Sequence, residues 1–225
     1  MEFLDIIEFF ETNRDEENIK TMDRLKAGSN KKYGIKMPIL RKLAKDIGKN
    51  HDLALKLWDH GFHESRLLAT LIEDYKKVSE TQLDSWVNDF DTWDLCDQAC
   101  INILVKMPLA IEKIPVWAKS GKEFVKRTAF SLIAVIAVHD KKSDDSYFEE
   151  FFPLIKDACD DNRNFVKKSV NWAIRSIGKK NKYLNKKAIN ICNEILEFEY
   201  KSAKWIAKNA LKELESEKVQ SKFHD

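Results

Sequence analysis

The sequence predicts an all-α protein, and three observations lead to that fold class. Apolar residues recur every three to four positions along nearly the whole chain, which is the period of an amphipathic helix. No stretch rich in valine, isoleucine and threonine alternates as a strand would, and the chain holds only 6 glycines and 4 prolines. A pattern carried by one helix also repeats about every 40 residues, which indicates stacked copies of a helical unit.

The helical period places the elements in chain order. The predicted helices lie near residues 2–12, 15–26, 37–48, 51–60, 63–77, 80–88, 93–106, 108–118, 122–138, 144–160, 163–178, 183–197 and 199–215. Asp91 or Thr92 can cap the helix that follows them, and Pro108 begins another helix, where its missing N–H costs little. The helices 93–106 and 122–138 are apolar almost all round, so we expect neighbours to cover them on several sides.

The repeat is built on a short pattern: an aromatic residue, an aliphatic residue, any residue, a basic residue and two small residues. Three segments carry it: FVKRTAF at 124–130, FVKKSVN at 165–171 and WIAKNAL at 205–211. A period near 40 residues that holds two helices is typical of HEAT or armadillo-like arrays. We therefore predict a HEAT/armadillo-like α-solenoid of about six stacked helix pairs with a concave basic groove. It would form a single domain over 1–216, followed by a polar C-terminal tail, 217–225.

The repeat superposes three cations, Arg127, Lys168 and Lys208. Equivalent helices line the concave side of such arrays, so these cations would form a ladder that can follow a phosphate backbone. Binding another protein is the commonest use of the architecture, and the repeat alone leaves that alternative open.

The charge of the chain is strongly segregated. The net charge is only +2, yet residues 162–193 contain nine lysines or arginines and no aspartate or glutamate. A surface of one sign indicates a polyanion as partner, although a lysine-rich run is also commonly a solvated face. On a helical wheel, four residues cluster opposite the apolar stripe: Lys168, Trp172, Arg175 and Lys179. Trp172 would either stack on a base or sugar, or pack against lysine stems and a neighbouring helix.

Several classes of protein are disfavoured by the composition. No apolar run reaches membrane-spanning length, and the first ten residues carry acids where a signal peptide needs basic residues, so we expect a cytoplasmic protein. The four cysteines form no Cys-x-x-Cys pair: Cys96, Cys100, Cys159 and Cys192. We interpret them as reduced, small apolar residues and not as disulfides or a zinc site.

A second candidate site lies in the segment FDTWDLCDQAC, residues 90–100. Asp94 falls in the first helical turn, where the helix dipole favours an anion without any further function. Asp97 follows Trp93 by one turn on the same face, in otherwise apolar surroundings. A carboxylate beside an indole and facing a cationic groove can stabilise positive charge on a substrate or orient a water. The alternative is a structural salt bridge to Arg127, one repeat downstream.

Four segments together resemble the AlkD-like DNA alkylation repair enzymes. They are YGIKMPILRKLAK at 33–45, Trp93-x3-Asp97, Arg127 within FVKRTAF, and Trp172 within FVKKSVNWAIRSIGKKN. The resemblance extends from about residue 20 to about residue 215, nearly the whole chain. Its specificity comes from finding all four segments in the family's order.

The resemblance implies a HEAT-like solenoid that binds duplex DNA. It also implies a monofunctional, metal-independent glycosylase that excises cationic N3- and N7-alkylated purines without a cofactor. Asp97 would be the catalytic carboxylate, stabilising the oxocarbenium-like sugar and positioning the hydrolytic water. Trp93 and Trp172 would pack against the deoxyribose of the lesion, and Arg127 would contact a nearby phosphate. The helical wheel, and not the family, adds three DNA-backbone contacts: Lys168, Arg175 and Lys179.

This chemistry needs a single carboxylate. An alkylated purine already carries a positive charge that weakens its glycosidic bond, so one anion near the deoxyribose C1′ supplies the electrostatic stabilisation. Ordinary glycosidases need a second carboxylate as an acid. Two alternatives stay open: a non-catalytic DNA-binding HEAT solenoid and a protein-interaction HEAT scaffold. We expect a monomer, because its groove must admit duplex DNA, with no membrane or obligate protein partner, and nucleoid-associated when bound to DNA.

Overall fold

The computed structural model describes residues 1–28 and 31–223, and the regular secondary structure within them is entirely helical. The all-α prediction is therefore confirmed. The chain is organised in two compact units, Met1–Ala110 and Ile111–Asp225. The predicted single domain over 1–216 stays a prediction. In the described part of the chain, no helix has the length and apolar character needed to cross a membrane.

The first unit is centred on one buried helix. Its helices, among the described residues, are α1 Phe3–Thr12, α2 Glu16–Leu25, α3 Met37–Ile47, α4 His51–His60, α5 His63–Ile72, α6 Glu80–Asn88 and α7 Trp93–Asn102. A 3-10 turn, Leu104–Lys106, then leads to α8, Pro108–Glu112. Helix α5 packs against α3, α4 and α7, and eight of its ten residues are buried, so the elements of this unit are arranged around it.

The loop before α3 is wrapped around a buried carboxylate. Glu64, on α5, is fully buried. It accepts three backbone N–H groups: those of Tyr33 at 2.8 Å, Gly34 at 2.7 Å and Ile35 at 3.2 Å. At Gly34 the backbone φ is +82°, and a Cβ atom there would lie 2.3 Å from the Asp15 carbonyl oxygen. Only glycine fits this position, which explains the glycine in the YGIKMP segment.

The second unit repeats a two-helix arrangement. Its helices, among the described residues, are α9 Ile114–Ala118, α10 Glu123–His139, α11 Asp145–Glu149, α12 Phe151–Asp157, α13 Asn164–Gly178, α14 Lys182–Leu196, α15 Lys201–Leu214 and α16 Glu217–Gln220, followed by a 3-10 turn, Ser221–Phe223. Helix α13 packs against both α10 and α15, and α14 packs against both α13 and α15. The long helices α10, α13 and α15 are therefore the equivalent members of successive pairs.

Side-chain contacts join each repeat of this unit to the next. The rings of Phe124 and Phe165 lie 5.6 Å apart between centroids. The ammonium of Lys167 lies 4.9 Å from the centre of the Trp205 ring. The side chain of Asn171 is buried and donates to a backbone carbonyl of α15 at 2.9 Å. A shift of about 40 residues in the sequence thus corresponds to one step from helix to neighbouring helix.

Proline interrupts two of the predicted helices. The predicted helix 108–118 divides into α8 and α9, with Pro115 at the second position of α9. The predicted helix 144–160 divides into α11 and α12, with Pro153 in the first turn of α12. Proline donates no N–H, and its ring clashes with the carbonyl four residues earlier, so neither helix runs through.

Two other predicted helices end early. The predicted helix 63–77 stops before Glu73, whose backbone is extended with φ −60° and ψ 137°. The buried Glu73 carboxylate accepts the N–H of Asp74 at 2.8 Å, which supports this turn away from the helix. The predicted helix 93–106 stops before Ile103, where φ is −134° and ψ is −53°, and continues as the 3-10 turn. In both places the backbone leaves the helical conformation at the named residue.

The predicted polar tail, 217–225, is partly folded, and its last two residues lie outside the described residues. Val219 on α16 is buried. The side-chain amide of Gln220 donates to the Leu214 carbonyl at 2.6 Å and to the Asn185 side-chain oxygen at 3.1 Å. Helix α16 therefore packs onto the ends of α14 and α15.

The four cysteines belong to the cores of the two units. All of them are buried and none forms a disulfide. Burial raises the pKa of Cys159 to about 11 and that of Cys192 to about 12, so both are neutral thiols at physiological pH. The interpretation of the cysteines as small apolar residues of the core is confirmed.

Candidate functional site

Helix α7 presents an indole and a carboxylate on the same side. Trp93 begins the helix and Asp97 follows one turn later, and both side chains are partly exposed. The Nε1–H of Trp93 points to the Leu25 carbonyl oxygen at 3.4 Å, which orients the ring against the end of α2. Four residues on the other side of the helix are buried: Leu95, Cys96, Ala99 and Cys100. The predicted pair therefore lies together on the accessible face of α7.

Asp94, between these two residues in the sequence, has a structural role. Its Oδ2 lies 2.9 Å from Nε2 of the buried His63, and its Oδ1 accepts the N–H of Gly28 at 3.1 Å. Burial raises the pKa of Asp94, but the interactions with His63 and with the Gly28 N–H outweigh it and lower the pKa to about 2. The ionised carboxylate therefore ties α5 and the segment after α2 to the first turn of α7.

Because of this pairing, the stability of the first unit should decrease as the pH falls into the acid range. Because the pKa of Asp94 is lower in the folded chain than in the unfolded chain, its contribution is complete above about pH 4 and is lost as the pH falls toward 2. We expect Asp94→Asn to lower the free energy of unfolding by about 2 kcal/mol at pH 7 and by progressively less below pH 4. Urea unfolding followed by tryptophan fluorescence at several pH values measures this difference. A difference that stays constant with pH would contradict the assignment.

Arg127 is nearly buried within the second unit. The residue is only 5% exposed, and its Nη1 donates to the Phe165 carbonyl at 2.6 Å. The guanidinium therefore joins α10 to the first turn of α13. The predicted contact of Arg127 with a DNA phosphate stays a prediction.

The predicted cationic face of α13 is partly neutralised. Lys168 is exposed and Trp172 is partly exposed, as the helical wheel predicts. Arg175 and Lys179, however, share one carboxylate: Nη1 of Arg175 pairs with Glu213 Oε2, and Nζ of Lys179 lies 2.6 Å from Glu213 Oε1. Burial raises the pKa of Glu213, but the two cations outweigh it and hold that pKa below its ordinary value. These two cations are bound to α15, and their contacts with DNA stay predictions.

In the folded chain, acidic residues from outside the acid-free window lie next to several of its cations. Arg163 pairs with Asp161 at 2.6 Å and Lys187 pairs with Glu149 at 2.9 Å, in addition to the two pairs with Glu213. These acids come from just before the window or from one repeat away, so they lie beside it only after folding. Glu213 is 38 positions after its arginine partner, close to the repeat period. The repeat is therefore the sequence signal that could have located this acid.

Comparison with known proteins adds three findings. A family model described as DNA alkylation repair enzyme matches residues 6–214. One solved structure is described as a new family of proteins related to the HEAT-like repeat DNA glycosylases with affinity for branched DNA structures. It has a TM-score of 0.80 and 21% identity, over 96% of this chain and 94% of that chain. A designed armadillo repeat protein matches with a TM-score of 0.38 and 16% identity, over 78% of this chain and 91% of that chain.

The match at a TM-score of 0.80 shows a HEAT-like repeat fold for this chain and confirms the predicted fold class. Its low sequence identity limits that conclusion to the fold. No curated protein sequence matches the chain significantly.

Proposed function

This chain belongs to the DNA alkylation repair enzyme family, and we propose that it is a DNA glycosylase. The proposed reaction is hydrolysis of the N-glycosidic bond of N3- or N7-alkylated purines in duplex DNA. The bond between C1′ and the base nitrogen breaks, water forms the new bond to C1′, and the products are the free base and an abasic site. Alkylation makes the base cationic, so it leaves without being protonated. The protein must bind the DNA, place an anion beside the sugar and position a water.

The placement of a carboxylate beside an indole on the accessible face of α7 carries this proposal. Asp97 is partly exposed and lies one turn after Trp93. A fixed carboxylate near C1′ stabilises the positive charge that develops there, and stabilisation of this kind is typically worth a few kcal/mol. The indole of Trp93 offers an apolar surface on which the deoxyribose packs.

The residues of the second unit are proposed to hold the DNA. Lys168 is exposed and makes no ion pair with any described residue, so its ammonium is available to a phosphate. Arg127 positions Lys168 indirectly, because its hydrogen bond to the Phe165 carbonyl holds the turn of α13 that carries Lys168. Trp172 is partly exposed one turn after Lys168, and we assign it to the deoxyribose of the lesion.

Glu213 is proposed to limit the affinity of α13 for DNA. We expect Glu213→Gln to tighten binding to duplex DNA by about 2- to 10-fold and to steepen its dependence on salt, because Arg175 and Lys179 lose their shared counter-ion. Fluorescence anisotropy over a range of salt concentrations measures both quantities. The matched control is Glu194→Gln, which makes the same charge change at a carboxylate paired with Lys156. Equal effects of the two variants would show that only net charge matters and that the α13 face does not contact DNA.

A second candidate function is binding of branched DNA without catalysis. The similar solved structure is described as having affinity for branched DNA structures, and that observation favours this candidate. The same exposed cations would serve it, and binding would depend strongly on salt in both cases. The two candidates therefore differ in whether a base is released.

The deciding experiment is a base-release assay. Duplex DNA is methylated in advance, incubated with the protein, and the free 3-methyladenine and 7-methylguanine are measured by mass spectrometry. A glycosylase yields free methylated purines and an equal amount of abasic sites that break in alkali. A preparation that binds duplex DNA with the expected salt dependence and releases no base would overturn the glycosylase proposal and support the non-catalytic one.

A further inference from the structure

Helix α15 carries an unbroken stripe of lysines on its exposed face. The stripe consists of Lys201, Lys204, Lys208 and Lys212, and all four side chains are exposed. At 100° per residue they fall, together with Trp205, within about 100° of arc. The buried residues of the helix lie on the opposite side: Ala203, Ile206, Ala207, Ala210 and Leu214. The helix therefore has one apolar face in the core and one cationic face in solvent.

The charge of this stripe is not neutralised by the protein. None of the four lysines makes an ion pair with a residue of the described chain, and the first acid on α15 is Glu213, beyond the last of them. On α13, by contrast, Arg175 and Lys179 are bound to that same Glu213. The second unit therefore has an open basic surface on α15, outside the acid-free window. Four adjacent, unpaired cations indicate a polyanion as partner.

Two exposed aromatic side chains adjoin the stripe at its N-terminal end. Trp205 is 38% exposed and Tyr200, just before α15, is 53% exposed. The ammonium of Lys167 on α13 lies 4.9 Å from the centre of the Trp205 ring and holds the indole in place. Large aromatic rings beside unpaired lysines are the combination with which proteins bind unpaired nucleotides. The lysines contact the phosphates, and the rings stack on the bases.

We propose that α15 binds an unpaired strand of DNA, with the lysine stripe on its phosphates and Trp205 and Tyr200 stacked on its bases. A continuous duplex already stacks its bases on one another, so only unpaired bases at an end, flap or branch have a free face for these rings. The inference rests on the proposed function in one respect, that the protein binds DNA, and it does not require base excision. It assigns the recognition of unpaired nucleotides to α15 of the second unit.

The test compares a blunt duplex with the same duplex carrying a single-stranded arm of about eight nucleotides, a length within the usual site size of one binding surface. We expect Trp205→Ala to weaken binding of the armed DNA by about 5- to 100-fold, measured by fluorescence anisotropy, and to leave the blunt duplex unaffected. Trp205→Phe keeps a stacking ring and should recover most of the loss. The matched control is Tyr183→Ala, which removes an aromatic side chain that is 48% exposed from α14.

Charge is tested separately from stacking. The double variant Lys204→Gln, Lys208→Gln should reduce the slope of log K against log salt concentration for the armed DNA. The reduction should correspond to the loss of about two phosphate contacts. Lys187→Gln, at a lysine already paired with Glu149, should not change it. The proposal would be overturned if Trp205→Ala weakened the binding of blunt and armed DNA equally, or weakened neither. It would also be overturned if Trp205→Phe did not recover binding although its circular dichroism is native.

The outcome is distinguishable from failure of the glycosylase proposal. The base-release assay is run on blunt methylated duplex, where Trp205→Ala should act at the wild-type rate. A wild type that releases no base but binds armed DNA through Trp205 refutes excision and supports this inference. If the wild type releases base, and Trp205→Ala binds the armed DNA as tightly as the wild type does, then excision is supported and this inference is refuted.

Discussion

Asp97→Asn is expected to reduce release of 7-methylguanine from methylated duplex DNA by about 100- to 1,000-fold. Asparagine has nearly the shape of aspartate but carries no charge, so it cannot stabilise the cationic sugar as the bond to the base breaks. Affinity for the duplex should stay the same or rise slightly, because the substitution removes a negative charge from a DNA-binding protein. Single-turnover rates of base release and anisotropy on the same DNA measure the two quantities.

Two controls separate catalysis from folding. Asp91→Asn removes an exposed carboxylate just before α7 and should release base at the wild-type rate. Asp94→Asn should lower stability in the pH-dependent way described above while retaining release at temperatures where it is folded. If Asp97→Asn keeps more than about a tenth of the wild-type rate, the electrostatic contribution is below 1.4 kcal/mol and Asp97 is not the catalytic carboxylate.

Glu64→Ala is expected to have the largest effect on stability, lowering the free energy of unfolding of the first unit by about 3 to 5 kcal/mol. The fully buried carboxylate accepts the N–H groups of Tyr33, Gly34 and Ile35, and its removal leaves all three donors without their acceptor. An unsatisfied buried N–H costs about 1 to 3 kcal/mol. Urea unfolding followed by circular dichroism and tryptophan fluorescence measures the change.

If Glu64→Ala does not fold, Glu64→Gln provides a graded version of the same test. Glutamine keeps one acceptor oxygen but turns an amide toward N–H donors, so we expect a loss of about 2 kcal/mol. Glu8→Gln, at an exposed glutamate of α1 in the same unit, should change stability by less than about 0.5 kcal/mol. A loss below about 1 kcal/mol for Glu64→Ala would mean that the loop finds other acceptors and is not organised by this carboxylate.

Most of the fold was predictable from the chain. The helical period located the elements, and the repeat identified α10, α13 and α15 as equivalent helices, because both are regularities that can be read along the sequence. The breaks at Pro115 and Pro153 were missed although proline announces them, since the apolar pattern continues through both sites. The early end before Glu73 depends on partners that are distant in sequence, among them the side chain of Gln82, whose amide donates to the Glu73 carboxylate at 2.8 Å.

The site was predictable in part. Trp93 and Asp97 were expected on one face of a helix, and they lie there because a spacing of four residues is one helical turn. The repeat placed Arg127 in one ladder with Lys168 and Lys208, but Arg127 is buried whereas both lysines are exposed. Position in a repeat defines which helix face a residue occupies. The neighbours that cover that face differ from one repeat to the next.

The order of helices, their repeat and the indole–carboxylate pair on α7 follow from the sequence, because each is a spacing between residues on the same or the next equivalent helix. The distribution of free charge was settled only by the tertiary structure. An ion pair depends on distance in space, and packing brings Glu213 against Arg175 and Lys179 across 38 and 34 positions of the chain. Four of the nine cations of the acid-free window are thus paired with acids from outside it, and the lysines of α15 add an exposed basic surface beyond the window.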